Sequence, residues 1–303
     1  MIRTASGHIG QFRAAIEAAG LSVPAAIVAD GKLHRFATSA RSGDDAGWYV
    51  LYAEPVPAGA FGDWRTGLSL TWRAGRPGRE RGAFGTRPSA TRPKVEDSNR
   101  TEAALAIWRV AASARGTPVE TYLAARGIRV PMPESLRFHG ALPHPSGESW
   151  PVMLALVTTG KDGVPVAVHR TFLARDGSGK APVQPVRMML GPCGGGAVRL
   201  AESGDVAMVG EGIETCLAAM QSGRLPAWAA LSTSGLRRLD LPDDVRNVIV
   251  LADGDLAGEA AAEAAALRWK RQGRRVRIAR APQGMDFNDL LLAREAADEA
   301  GAP

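Results

Sequence analysis

The sequence predicts an α/β protein in three parts. A parallel sheet with flanking helices lies at the C-terminal end, a mixed α+β subdomain precedes it, and a small β-rich domain stands at the N-terminus. Three observations carry this expectation. From Asp205 onward, short apolar runs without polar alternation take turns with helix-period runs, the pattern of strands covered on both faces by helices. Between residues 101 and 203, two helical stretches lead into strand-like apolar runs. The first 73 residues hold one amphipathic stretch and several short β-like pieces punctuated by Gly, Asp and Pro.

Composition sets the outer limits. Hydrophobic residues make up 45% of the 303-residue chain and charged ones 22%, which supports a sizeable core and argues against global disorder. The formal charge of +6 favours a polyanionic partner without identifying one. Cys193 and Cys216 are the only cysteines. They form no CxxC pair, so neither a zinc ribbon nor a disulfide scaffold is expected, and the cofactor expectation contains no zinc. No signal-peptide core opens the chain and no apolar run is long enough to cross a bilayer. The expectation is a soluble, cytoplasmic protein with no membrane partner.

The elements follow in order. In "IGQFRAAIEAA" (9–19), Ile9, Phe12 and Ile16 share one helical face, and Gly20 is the stop. "KLHRFAT", "GWYVLYA", "GAFGDW" and "LSLTWRA" read as a small meandering sheet. Residues 74–100, rich in Gly, Pro and Arg, read as a linker. Helical spacing returns over 101–114 and 117–127. In the second stretch, Thr117 with Glu120 fits a capping box, Pro118 the first helical position and Gly127 the end. "WPVMLALVTT" and "GVPVAVHRTFLA" are strands joined by a turn over Gly160–Gly163, and "VRMML" leads into the glycine-rich Gly191–Gly196, read as a flexible turn. The last part alternates "VAMVG", "IETCLAAMQSG", "AWAALS", "LRRLD", "VRNVIVLAD", "AGEAAAEAAALRWKRQG", "VRIARAP" and "DFNDLLLAREAADEA" as strand and helix in turn. The expected division is therefore 1–73, a helix plus β-rich domain; 74–100, linker; 101–203, α+β subdomain; and 204–303, the parallel α/β domain.

In an open parallel sheet, ligands gather at the carboxyl ends of the strands. Glu211 follows "VAMVG", Asp253 and Asp255 follow "VIVLA", and Asp286 and Asp289 follow "VRIARAP" after a short loop. Each has a plainer reading as a helix start, a turn or an N-cap. Together they place several carboxylates on one sheet edge. Crowded carboxylates repel one another, and a hard divalent cation removes that penalty. Oxygen ligands without His or Cys favour Mg²⁺ or Mn²⁺. Phosphoryl or nucleotidyl transfer, or phosphodiester cleavage, is the chemistry such a site serves.

"GEGIET", "LADGDLAG" and "GMDFNDLL" resemble the three acidic motifs of the Toprim domain, the catalytic domain of DnaG-type primases, topoisomerases and some nucleases. The resemblance covers roughly the last hundred residues, and the "EGIET" form is most similar to the primases of phages and plasmids. It implies that Asp253 and Asp255 bind metal with Asp286 or Asp289, and that Glu211 shares a metal or acts as acid–base. Glu214 sits one position short of the aspartate in the DnaG-type "EGxxD". Upstream, "ETYLAARGI" and the run from Trp150 to Gly191 resemble the primase segment that carries cations across the cleft. The matching positions are Arg126, His169, Arg170, Lys180 and Arg187. Arg126, Arg170, Lys180 and Arg187 are expected to bind nucleotide or template, and His169 to be structural.

The resemblance implies a DNA primase that makes short primers on single-stranded DNA from nucleoside triphosphates, with a separately encoded replicative helicase as partner. A non-catalytic nucleic-acid-binding module and a Toprim nuclease are the alternatives. DnaG-type primases usually open with a zinc ribbon, which these 73 residues cannot form. They resemble instead the N-terminal segments of mobile-element primase-like proteins. Phe36, Trp48, Phe61 and Trp64 offer stacking faces and Arg35 and Arg65 offer charge, so Arg35, Trp64 and Arg65 are candidate single-strand contacts. Filling the core of a small sheet is the expectation for most of these aromatics. Tyr49, Tyr52 and Tyr122 all fall in core-like or helical pieces, which argues against a topoisomerase nucleophile, and the absence of GxxxxGK[ST] argues against an ATPase on this chain.

Overall fold

The computed structural model describes residues 5–39, 44–53, 57–63, 65, 68–74 and 94–300. The chain divides into two compact units, 1–90 and 91–303.

In the first unit, helix α1 (Ala5–Ala18) precedes strands β1 (His34–Phe36), β2 (Gly47–Tyr52), β3 (Ala58–Asp63) and β4 (Leu68–Arg73), which pair antiparallel in chain order as a meander. Phe12 and Ile16 of α1 are fully buried against Tyr49, Leu51 and Phe61. Phe12 meets Phe61 edge to face with ring centroids 5.6 Å apart. Phe36 and Phe61 therefore belong to this core, as the plainer reading of the aromatics expects.

The second unit begins with α2 (Lys94–Val110), β5 (Ala112–Ser113), α3 (Pro118–Ala124), β6 (Leu136–Pro143), β7 (Ser149–Thr159), β8 (Pro165–Phe172), β9 (Arg187–Leu190) and β10 (Gly196–Arg199). It continues with β11 (Val206–Gly210), α4 (Ile213–Gly223), β12 (Ala227–Ala229), α5 (Thr233–Arg238), β13 (Asn247–Ala252), α6 (Leu256–Arg271), β14 (Arg275–Arg280) and α7 (Phe287–Ala300). The parallel part has the order β14-β13-β11-β12, with one register running through all four strands. Its apolar runs are buried on both faces: Val248, Val250 and Ala252 pack with Ala261, Ala265 and Trp269 of α6, while Leu251 packs with Cys216 and Leu217 of α4. Each fully buried aliphatic side chain of this size contributes about 1.5–3 kcal/mol.

Where the sequence reads two separate parts, 101–203 and 204–303, the backbone forms one sheet. β10 pairs antiparallel with both β12 and β7, carrying the hydrogen-bond ladder from the parallel half into a mixed half of β7, β6, β5, β8 and β9. β10 starts inside the glycine run read as a turn. A side chain at Gly196 would press on the Thr158 carbonyl oxygen and Val157, so only glycine allows that close pairing. Helix α2 begins at Lys94, inside the stretch read as linker; "KVEDSNR" is polar and lacks the apolar period that marks a helix in sequence. It stops at Val110, short of the expected 114, because Ala112 and Ser113 pair with Phe138 and Arg137 of β6. Thr117 caps α3 by accepting from the Val119 N–H, and Glu120 accepts from the Gly116 N–H at 2.6 Å, one residue before the usual capping-box donor. No helix among the described residues is long and apolar enough to cross a membrane.

Candidate active site

Three chain crossings build the acidic wall. β11 ends at Gly210 and presents Glu211 before Gly212, the N-cap of α4. The Glu211 carbonyl accepts from the Leu231 N–H at 2.9 Å, and Leu231 adopts φ 68°, the left-handed region that a leucine enters only under constraint. β13 ends at Ala252 and presents Asp253-Gly254-Asp255. β14 leads through residues 281–285 to Asp286, the residue before α7. Gly254 ties the last two crossings together: its N–H donates to the Met285 carbonyl at 2.9 Å and its own carbonyl accepts from the Gly284 N–H at 2.7 Å. A Cβ at 254 would run into the Pro282 carbonyl, so the central glycine of "DGD" lets the two loops touch and sets Asp253 beside Asp286.

Glu211, Asp253 and Asp286 line one open cavity of about 440 Å³, together with Arg126, Lys180 and Arg187. The carboxylates are poorly compensated. Burial, then the charges of Asp253 and Asp255, push Glu211 up to about 8. Burial, then Asp286, Asp255 and Asp289, push Asp253 up to about 6. Among the described residues, Glu211 Oε1 and Asp253 Oδ1 are buried without a hydrogen-bond partner. Two buried, uncommitted oxygens in a set of mutually repelling carboxylates fit a hard divalent cation. Among the described residues no three His, Cys, Asp or Glu side chains form a group that could hold a metal ion by themselves. Mg²⁺ takes one or two carboxylates and fills its shell with water and phosphate oxygens.

Asp255 acts on the charges of both Glu211 and Asp253, and Asp289 on that of Asp253, but each has a local task. Asp255 caps α6, accepting from the Gly258 N–H at 2.8 Å. Asp286 Oδ1 accepts from the N–H groups of Asn288 and Asp289 at 2.7 and 2.9 Å, while Asp289 Oδ2 accepts from the Asp286 N–H at 3.0 Å. This reciprocal pair is a capping box at the start of α7. The plainer N-cap role and a place on the cavity wall thus hold together for Asp286.

The opposite wall is basic. Arg126 follows α3, Lys180 lies in the segment between β8 and β9, and Arg187 opens β9. Arg170, expected here with them, does not line the cavity. Side chains alternate along β8, so its neighbour His169 faces the cavity while Arg170 turns to the other face, half buried, with a long contact of 3.5 Å to the Met189 carbonyl. His169 is almost fully buried; burial and the nearby Arg187 hold it down to about 4, so it stays neutral.

Glu214, one position short of the DnaG-type aspartate and read in the sequence as a solvent-facing residue of the first helical turn, is instead only 6% exposed on the first turn of α4 and lines the same cavity. It accepts a 2.6 Å hydrogen bond from the Tyr122 hydroxyl and meets Lys180 Nζ at 3.4 Å. Burial raises its pKa, but Lys180 and the Tyr122 bond outweigh burial and bring it down to about 2. The same carboxylate drives the Tyr122 hydroxyl upward, after burial itself. The charge of Arg237 in α5 also acts on Glu211, in the lowering direction. The i,i+4 spacing of Tyr122 and Arg126 was the legible signal for a shared face, and the guanidinium does lie over the Tyr122 ring at 5.9 Å.

In the first unit, Arg35 and Arg65 are both engaged with the loop between β1 and β2. Arg35 donates to the Asp45 carbonyl at 2.6 Å, and Arg65 pairs with Asp44, whose buried carboxylate also accepts from Ser39, Thr38 and Ala46. Asp44 is held well below the usual carboxylate range, by its bond to Ser39 above all. Trp64 lies outside the described residues.

Comparison with known families assigns two segments. Residues 206–297 match the Toprim domain, so the chain carries a Toprim domain at its C-terminal end. Residues 98–200 match a domain of unknown function, DUF7146. No curated protein matches the chain in sequence. Among solved structures, a DnaG primase catalytic domain bound to ssDNA is 19% identical over 70% of this chain and 84% of that one, with a TM-score of 0.45. The Aquifex aeolicus primase, comprising zinc-binding and RNA polymerase domains, is 12% identical over 97% and 84%, with a TM-score of 0.42. The primase fragment of the bacteriophage T7 primase-helicase is 19% identical over 63% and 74%, with a TM-score of 0.38. Superposition at this level carries no functional argument of its own.

Proposed function

We propose that this protein is a primase-type nucleotidyltransferase that makes short primers on single-stranded DNA with Mg²⁺ or Mn²⁺, in the cytoplasm and in the setting of phage or plasmid replication. The supporting observation is the two-signed cavity. Glu211, Asp253 and Asp286, from three separate crossings of a Toprim domain, face Arg126, Lys180 and Arg187 from the preceding segment. Polymerisation needs both signs, because template and triphosphate are polyanions while the attacking and leaving oxygens need a cation.

Glu211 and Asp253, the two carboxylates with uncommitted buried oxygens, would hold the cation, with Asp286, Asp255 and Asp289 adding negative potential from the adjoining caps. Bound there, it would lower the pKa of the attacking 3′ hydroxyl and neutralise charge on the departing pyrophosphate. Lys180 and Arg187 would take triphosphate oxygens, and Arg126 would take triphosphate or template phosphate. Neutral His169 would offer a hydrogen bond without adding charge. The Glu214 bridge would hold Lys180 and Tyr122 in place before substrate arrives. A separately encoded replicative helicase would deliver the single strand.

The test is primer synthesis on single-stranded template with labelled nucleotides and Mg²⁺. Wild type yields oligonucleotide product, and Glu211→Ala and Asp253→Ala yield none. Two variants as active as wild type would end this reading. Degradation without synthesis would select a nuclease, and retained DNA binding with neither reaction a non-catalytic module.

A further inference from the structure

The densest positive charge on the second unit lies away from the acidic cavity. Residues 268–280, "RWKRQGRRVRIAR", hold seven Lys or Arg among thirteen residues and no Asp or Glu. They form the last turn of α6 and strand β14, the outermost strand of the sheet, which among the described residues pairs only with β13. Three of the seven are tied down: Arg268 to Asp240, Arg274 to the carbonyls of Leu241 and Pro242, and Arg280 to Glu259 and Glu263. Lys270, Arg271, Arg275 and Arg277 are exposed. Val276 and Ile278 pack against the α6 side of the sheet, so Arg275 and Arg277 share the other face of the edge strand. Lys270 and Arg271 are exposed in the last turn of α6, four to five residues before Arg275 along the chain.

We infer that this strip binds the sugar–phosphate backbone of a nucleic-acid duplex. Its charge fits a polyanion: Arg275 and Arg277 share one face of the edge strand, and Lys270 and Arg271 add exposed charge from the end of α6, with no acidic residue anywhere in the segment. Sites for single strands combine cations with exposed aromatic stacking faces. The only aromatic here is Trp269, which is fully buried. A surface of cations without stacking faces contacts phosphates and leaves paired bases alone. β14 runs from Arg275 to Arg280 and on through the 281–285 loop to Asp286, so the strip and the acidic wall lie on one continuous stretch of chain, with roughly 17 Å of strand between Arg275 and Arg280. That the duplex is template paired with new primer rests on the function proposed above; the binding itself does not.

The test is fluorescence anisotropy of a labelled DNA duplex in rising KCl, on the full chain, without nucleotide. Three proteins are compared with wild type: Arg271→Gln/Arg275→Gln/Arg277→Gln, the same three changed to Lys, and a charge-matched control, Arg109→Gln/Arg129→Gln/Arg294→Gln, at exposed positions elsewhere. The strip glutamine variant is expected to bind at least about tenfold more weakly near 0.1 M salt, and to lose roughly 2–3 from the slope of log affinity against log salt. The lysine variant and the control should stay close to wild type. Equal losses in strip and control variants would overturn the proposal and leave the strip's charge for an acidic protein surface. A lysine variant as weak as the glutamine one would overturn it too, since charge would then not be the cause. Failed primer synthesis with intact strip binding would defeat the proposed activity alone.

Discussion

Two neighbouring parts of the cavity floor treat a buried glutamate in opposite ways. Around Glu211, at the end of β11, the nearby charges are mainly other carboxylates, and the pKa climbs to about 8. Around Glu214, on the first turn of α4, a tyrosine hydroxyl and an ammonium approach from α3 and the β8–β9 segment, and the pKa falls to about 2. Both positions are desolvated, so burial does not set the sign. What differs is who faces them: Glu214 is satisfied by this chain's own groups, whereas Glu211 and Asp253 each carry an oxygen that nothing among the described residues satisfies. A structural carboxylate and a ligand-seeking one can therefore be told apart by their partners.

The sharpest way to break that contrast is to remove the bridge. Glu214→Ala should destabilise the fold by about 3 kcal/mol, because it strands the Tyr122 hydroxyl and partly buried Lys180, and a urea melt reads the loss directly. Glu214→Gln should recover part of it by keeping an acceptor for Tyr122. An equally stable Glu214→Ala would show that the bridge holds nothing.

The next effect sharpens the contrast through pH. Glu211 and Asp253 have folded pKa values above their unfolded ones, so the folded state binds their protons more tightly. Without divalent cation, stability should rise by about 2 kcal/mol in total as pH falls from about 8.5 to 5. Glu214 has a depressed folded pKa, so its contribution is present above about 4.5 and drains away as pH falls toward about 2. The melting temperature of the metal-free protein should thus peak near pH 5. Mg²⁺ should flatten the alkaline arm and leave the acid arm alone, and Asp253→Asn should shrink the alkaline arm only. A curve insensitive to both would contradict the crowding of these carboxylates.

The smallest effect tests one hydrogen bond. Tyr122→Phe removes a neutral donor from a charged acceptor that keeps Lys180, so a loss of about 1.5 kcal/mol is expected in the same melt. A loss as large as that of Glu214→Ala would place the bridge's worth in Tyr122 rather than in the carboxylate.

Much of this architecture was legible from residues alone. A parallel sheet declares itself by unbroken apolar runs alternating with helices, and acids at the ends of such strands must share an edge, so the meeting of Glu211, Asp253 and Asp286 follows from pattern plus topology. The strands around Leu136–Pro143 and Gly196–Arg199 were not legible. One is bulged between His139 and Leu142, and the other hides in a glycine run whose purpose is a close backbone approach. The choice between His169 and Arg170 hung on which face of β8 turns toward the cavity, and a one-residue shift exchanges them.

By itself the sequence determined the local and periodic facts: which stretches are strand or helix, which acids end a strand, and that glycine stands between Asp253 and Asp255. Only the tertiary structure decided which of those charges are compensated. Compensation depends on groups that meet across long stretches of chain, as Tyr122 meets Glu214 across 92 positions. Electrostatic energy depends on distance and burial, which periodicity along a chain does not encode.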